Sequence, residues 1–321
     1  MRNSQRSVGS IAEAMTTEAA TTARIYIGAS SWVDKSLVAS GRFYPPDLKD
    51  TPSRLAFYAE RFNLAEVDST YYAFPSQRNI ERWAEAVPDE FRFNVKAFAL
   101  FTQHPTRLSS IPKSFRDDLP DALQKKARVY YKDIPPEVSA ELWRIFRAAL
   151  RPMREAGKLG AILVDFPPWF VPSKANRNFI AHVRERLPDD NVIVEFRNRL
   201  WVADEATATS TFALLRDLRC GFVCVDEPPG LKSSFPPAVA VTAPVAAVRF
   251  RGRNTERWED KKASTEERLN WWYADDELSE WLPRIEQLAA DAQEVYLAFN
   301  TKAEDQSVVN AGRLQRLLGF S

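Results

Sequence analysis

From Arg24 to the end of the chain, short β-rich runs alternate with helix-length stretches of mixed polar and apolar residues. The runs are Arg24–Gly28, Leu64–Asp68, Arg92–Lys96, Ala161–Asp165, Val192–Arg197, Phe222–Asp226, Ala247–Arg251 and Val295–Asn300. Helical stretches are expected over Ser53–Phe62, Ile80–Ala86, Glu137–Ala156, Asn176–Arg186, Ala206–Leu218 and Glu277–Ala292. Strands that alternate with helices pair in parallel through crossover connections. Eight such units predict a single α/β domain, a (β/α)8 TIM-type barrel, whose usual size is about 250 residues. A doubly wound sheet is the competing architecture, but no G-x-G turn occurs to open one.

The pattern fails in two places. Residues 1–23 are rich in Ser, Thr and Ala, carry neither periodicity and read as a disordered tail. Arg2 and Arg6 are suited to a transit peptide, whereas Glu13 and Glu18 are not, and no apolar secretory core is present. The second failure follows strand three. Sixty-three residues separate Lys96 from Gly160, and the stretch around 109–136 reads as an insertion in a barrel spanning 24–321. Loops of that length are mostly functional or mobile. Its Lys125, Lys126, Arg128, Tyr130, Tyr131 and Lys132 mix charge with aromatic rings.

Composition narrows the picture further. The chain has 321 residues, 45% hydrophobic and 27% charged, with 44 Lys and Arg against 43 Asp and Glu. A globular core is affordable, and no global field favours nucleic acid or a membrane. No apolar run is long enough to span a bilayer. Two cysteines exclude a disulfide framework and suit a reducing, cytoplasmic setting. Cys220 and Cys224 are too far apart along an extended strand to be bridged and read as core thiols. With two histidines in total, zinc is disfavoured as a cofactor.

Strand parity concentrates the chemistry. Val192, Val194 and Phe196 form an apolar face suited to the helix layer, which turns Glu195 and Arg197 into the barrel. The same reading turns Glu66, Asp68, Asn94, Lys96, Asp165, Asp226, Arg249, Arg251 and Asn300 inward, at the C-terminal ends where barrel sites are built. One interpretation is an ion-pair network closing the barrel top. The other is a ligand site. Arg197, Arg249, Arg251 and Lys96 suit a small anionic ligand, phosphate or carboxylate. The carboxylates suit sugar hydroxyls, acid-base work or Mg2+ or Mn2+, and Glu195 with Asp68 or Asp165 would make a glycosidase-like pair. His104, just beyond strand three, is a candidate acid or base; His182 reads as structural.

Several blocks, taken in order, resemble the YecE-like family, the domain of unknown function 72. They are IGASSW (Ile27–Trp32), GRFYPP (Gly41–Pro46), EVDSTYY (Glu66–Tyr72), FRFNVKA (Phe91–Ala97) with HPTRL (His104–Leu108), LVDFPPWF (Leu163–Phe170), VEFRNRLW (Val194–Trp201), VRFRG (Val248–Gly252) and AFNTKAEDQSVVNA (Ala298–Ala311). The resemblance covers nearly everything beyond the tail and implies a TIM barrel, but it brings no assigned reaction. Polar residues it carries over are Glu66, Lys96, His104, Arg107, Glu195, Arg197, Trp201, Arg249, Asn300 and Asn310. The chain departs from the family pattern at Asp68 (usually Asn), Asp165 (Gln), Asn198 (often His), Arg251 (His) and Thr301 (Asn).

Three functional readings follow. In the first, the barrel is an enzyme for a small phosphorylated or sugar-like substrate, with hydrolysis among the reactions such a site performs. Glu195 and His104 transfer protons, aided by Lys96 and Asp68. Arg197, Arg249 and Arg251 hold the anion. Glu66, Asp165 and Asn300 position it, and Trp32, Tyr72 and Trp201 wall the pocket. In the second, the basic and aromatic insertion binds or processes nucleic acid. In the third, the departures leave a non-catalytic ligand-binding barrel.

Overall fold

The computed structural model describes residues 23–320, so the tail expected over 1–23 lies outside the described residues but for Ala23. Eight parallel strands form a closed barrel: β1 (Arg24–Ala29), β2 (Leu64–Val67), β3 (Arg92–Lys96), β4 (Leu159–Asp165), β5 (Val192–Glu195), β6 (Cys220–Asp226), β7 (Val245–Phe250) and β8 (Glu294–Phe299). They pair in chain order and β8 returns to β1. The TIM-type barrel read from the sequence is the fold, and each strand begins within two residues of its predicted run. Among the described residues no helix is long and apolar enough to cross a membrane.

The connecting helices begin where side chains cap them. Asp50, Ser76, Ser173 and Asp204 each accept a bond from the backbone N–H three residues on, which satisfies one of the donors left orphaned at a helix start. Two helices expected as continuous are broken. Pro136–Ala149 gives way to Arg151–Glu155 because Pro152 has no N–H for the Ala148 carbonyl. Asp275–Ser279 gives way to Leu282–Asp291 at Pro283 for the same reason.

The insertion after β3 is folded onto the barrel top. A two-residue antiparallel ladder pairs Thr106 with Val129 and Arg107 with Arg128. Ile111, Leu119, Val129 and Ile134 are buried beneath it. Tyr131 accepts from Trp143 Nε1 at 3.1 Å and meets His182 Nε2 at 2.8 Å, tying the insertion to two helices of the outer layer. His182 thus serves the packing, in keeping with its reading from the sequence.

The seam between β1 and β2 is closed largely by side chains. Only Gly28 and Ala29 register with Leu64 and Ala65. Below them, Asn63 donates to the Ile25 carbonyl at 3.0 Å and accepts from the Ile27 N–H at 2.7 Å. Above, the buried Tyr58 hydroxyl accepts from the Ala29 N–H and donates to the Leu64 carbonyl, both at 2.7 Å. Buried backbone groups need such partners. Gly28 permits this approach, since a Cβ there would lie 1.8 Å from the Leu64 carbonyl oxygen.

Tyr58→Phe therefore orphans two buried backbone groups, and the expected loss is about 1–3 kcal/mol, read as a lower urea midpoint at constant slope. A variant within 0.5 kcal/mol (about the scatter of surface substitutions) of the parent would refute the role. Gly28→Ala is expected to cost more than Tyr58→Phe in the same assay, because the obstructing atom is backbone.

Candidate functional site at the C-terminal mouth of the barrel

The inward charges of β2, β5 and β7 meet on one guanidinium. Arg249, 1% exposed, donates from Nε at 3.1 Å and Nη2 at 2.7 Å to Glu66 Oε2, and from Nη1 at 2.6 Å to Glu195 Oε2. Burial alone would favour the neutral form, yet Glu195 and Glu66 hold the Arg249 pKa well above the usual arginine value. Arg251 Nη1 lies 3.2 Å from Glu195 Oε1 and 3.0 Å from Glu227 Oε1. Glu195 is thus fully buried with an arginine against each oxygen.

A second network lies beside it. Lys96 Nζ and Arg197 Nη1 approach the same oxygen of Asp165, at 2.9 and 3.9 Å. Burial opposes ionisation of Asp165, but Lys96 and then Arg197 keep its carboxyl well below the usual carboxylate range. Lys96 also sits over the Tyr71 ring, 4.6 Å from its centroid. The Tyr71 ring meets His104 edge-on at 5.3 Å, and His104 meets Trp169 at 5.9 Å. Thr102 Oγ1 lies 2.8 Å from His104 Nδ1. Burial lowers the His104 pKa to about 4, so the ring is neutral at pH 7. Arg197 differs from its neighbours: burial and then the adjacent Arg251 depress its pKa, so its positive charge is under-compensated.

Two hollows open on this surface, on either side of the loop after β4. The first, about 370 Å3, is lined by Arg197, Arg199, Lys232, Arg251 and Arg268, with Trp258 as an aromatic wall and no carboxylate in its lining. The second, about 630 Å3, is lined by Tyr71, Tyr72, His104, Arg107, Arg128 and Trp169, among others, again with no carboxylate. Pro168 borders the first and Trp169 the second.

The structure distributes the sequence-predicted residues unevenly. Arg197 and Arg251 line the first hollow, and Tyr72 and His104 the second. Lys96 and Asp165 stand between them as an ion pair. Asp68 lies 3.9 Å from Lys302, which binds Asp34 at 2.9 Å, away from both hollows. Asn300 is buried at the end of β8. Four expectations need correction. Glu195, Glu66 and Arg249 are sealed in the brace and cannot reach a ligand, because each is at most 1% exposed. Trp201 walls no pocket; it is buried, stacks on Phe196 at 4.3 Å and donates to the Phe170 carbonyl at 2.6 Å. Trp32 is likewise buried, edge-on against Trp83 and Phe93. Asp226 points outward: it registers with Phe250 and binds Arg253, Tyr273 and Trp281 in the helix layer. It shares its strand face with Phe222, which packs on Phe212 of a crossover helix, so Glu227 is the inward acid instead.

Sequence reasoning missed Arg199, Lys232, Trp258 and Arg268. They lie after β5, β6 and β7, Lys232 on a loop and the others in four-residue helical turns too short for periodicity to assign a direction; their position beyond strand C-termini was the only signal. Cys220 and Cys224 are free and buried, and burial pushes both thiols up to about 12. Among the described residues, no three His, Cys, Asp or Glu side chains converge as a metal-ligand set.

Comparison with known proteins agrees with the fold and the blocks quoted above. The chain is 27% identical to the UPF0759 protein YunF of Bacillus subtilis over 92% of its own length and 94% of that protein. It is also similar to a DUF72 family protein from Thermotoga maritima, with 27% identity, a TM-score of 0.72 and coverage of 92% of this chain and 99% of that one. A DUF72 family protein from Enterococcus faecalis has the same fold, with 24% identity, a TM-score of 0.74 and coverage of 92% and 96%. The family model described as protein of unknown function DUF72 matches residues 26–321, and the chain belongs to that family.

Proposed function

We propose that the mouth of the barrel binds a small phosphorylated or sugar-like anion and acts on it by acid-base chemistry. The observation that carries this reading is the first hollow, where five cationic side chains line one cavity without a carboxylate. In a chain of net charge +1, so one-signed a lining calls for a ligand of opposite sign. Arg197 and Arg251 offer planar forks to an oxyanion. The under-compensated charge of Arg197 is relieved when an anion arrives.

The proton chemistry falls to groups that a ligand can approach. Lys96 and Asp165 form an ion pair that links Arg197 of the first hollow to Tyr71 of the second, and neutral His104, which lines the second, is an acceptor rather than an acid at pH 7. The Arg249 brace with Glu66 and Glu195 positions β2, β5 and β7 and takes no proton itself. The buried carboxylates at the mouth are paired with guanidiniums and with Lys96, so the reading requires no divalent cation to neutralise them.

Inorganic phosphate and ribose 5-phosphate are expected to raise the melting temperature. Arg197→Ala and Arg268→Ala are each expected to weaken binding by about ten-fold or more, the worth of a charge-assisted hydrogen bond. No stabilisation by either compound at millimolar concentration would overturn the anion site.

For catalysis, a panel of phosphorylated sugars and phosphodiesters is expected to yield a product, with turnover cut by about 100-fold or more in Asp165→Asn and His104→Gln. Undiminished turnover in both would remove these residues from the mechanism.

The His104 pKa also sets a stability trend. The unfolded chain protonates this ring near pH 6.5 and the folded chain near 4, so the unfolded state binds more protons in between. Stability contributed by the neutral ring is present above pH 6.5 and is lost as pH falls through that window. Melting temperatures measured from pH 7 to 4 are expected to fall more steeply for the parent than for His104→Gln. Parallel curves would contradict the buried neutral assignment.

A further inference from the structure

Resting on the anion reading above, we propose that the ligand is a nucleoside phosphate, its phosphate in the first hollow and its base stacked on Trp169 in the second. Four observations converge on this class. Trp169 and Tyr72 are 55% and 69% exposed, although most aromatic rings of this chain are buried. Both border the second hollow, which gives it two exposed aromatic rings. Large exposed rings flanking one cavity mark a binding surface for another flat apolar face.

The charges of the second hollow need an explanation as well. Arg107 and Arg128 are registered opposite each other in the antiparallel ladder, where like charges repel. Neither has an ion-pair partner among the described residues. An arginine fork matches the paired acceptors on a purine edge as it matches a phosphate. The hollow's lining holds no Asp, Glu or Asn, the groups that usually receive sugar hydroxyls, so a base fits it better than a second sugar. His104, neutral and tethered through Nδ1, adds an uncharged polar ring beside the aromatic walls.

The two hollows are also adjacent: consecutive residues, Pro168 and Trp169, line the first and the second. Arg197 borders the first, and contacts of 3.9, 2.9 and 4.6 Å lead through Asp165 and Lys96 to the Tyr71 ring that borders the second. A ligand held by its phosphate in the first hollow can thus extend across this divide into the second. The ion pair of Lys96 and Asp165 then lies beneath the ribose, where the proposed proton chemistry is placed.

The test is a calorimetric titration of the full chain with inorganic phosphate, ribose 5-phosphate, guanosine monophosphate and a short oligothymidylate. Guanosine monophosphate is expected to bind about ten-fold or more tightly than ribose 5-phosphate, the increment of one base stacked on an aromatic ring. In Trp169→Ala that ratio is expected to collapse toward one. Trp169 is exposed, and an unchanged melting temperature checks that the variant is folded. In Arg107→Gln the ratio is expected to shrink as well. Equal binding of guanosine monophosphate and ribose 5-phosphate would overturn the nucleoside assignment and leave the anion site standing. No binding by any of the small anions would remove both. Binding confined to the oligothymidylate would replace a nucleotide with a strand and equally overturn the proposal.

Discussion

A guanidinium buried at the centre of the barrel top must be neutralised on the spot, and Arg249 is neutralised by Glu66 and Glu195. Removing an ion from water costs several kcal/mol, and only close, well-aligned partners offset that penalty. The three residues come from β7, β2 and β5, which are not neighbours in the barrel, so the ion triad pins strands across its bore. The rest of the site inherits its geometry from this clamp. Arg251 follows Arg249 by two residues on the same inward face, and Arg197 follows Glu195 likewise. Positions one turn of the pleat above the clamp are therefore fixed in direction and face the open mouth.

This layering explains how a charged barrel top is stable while leaving cations open at its mouth. In the lower layer, carboxylates and guanidiniums consume one another. In the upper layer, Asp165 answers Lys96 and part of Arg197, while Arg199, Lys232 and Arg268 answer nothing within the lining of the hollow. The balanced composition of the chain thus conceals a local excess of positive charge. The ion-pair closure drawn from strand parity describes the lower layer, and the uncompensated cations of the upper layer are what the proposed anion site rests on.

The architecture was legible because barrel strands and crossover helices carry different periodicities, and tertiary context did not override them. The inward charges were legible for the same reason, with Asp226 the instructive failure. Its alternation partner Phe222 belongs to the helix layer, so parity counted within the strand would have turned it outward. Aromatic residues near the mouth were harder to place. Trp32 and Trp201 sit in family-like blocks and are buried, whereas Trp169, passed over, is exposed; a block of sequence shows that a ring matters without showing which side of it is wet. The cations beyond the strands, on a loop and on single helical turns, had no period to read. Their convergence depends on how segments after three different strands cross in space, which a one-dimensional pattern does not encode.

Arg251 joins the two layers. It pairs with Glu195 and Glu227 below and lines the first hollow above, at a position where the resemblance leads one to expect histidine. A histidine there would supply a ring that titrates near neutrality; an arginine supplies a permanent charge and a fork that can face the clamp and a ligand together. Glu227, 3.0 Å from Arg251, supplies the further carboxylate that a second buried cation two residues above Arg249 needs. Asp165, where glutamine is usual, does the same for Lys96 and Arg197. At these two positions the added charge is paired within the network of the mouth, which reads as compensation rather than decay, whereas the added acid at Asp68 faces Lys302, away from both hollows. A barrel that keeps its clamp can change the charges above it without disturbing the fold beneath.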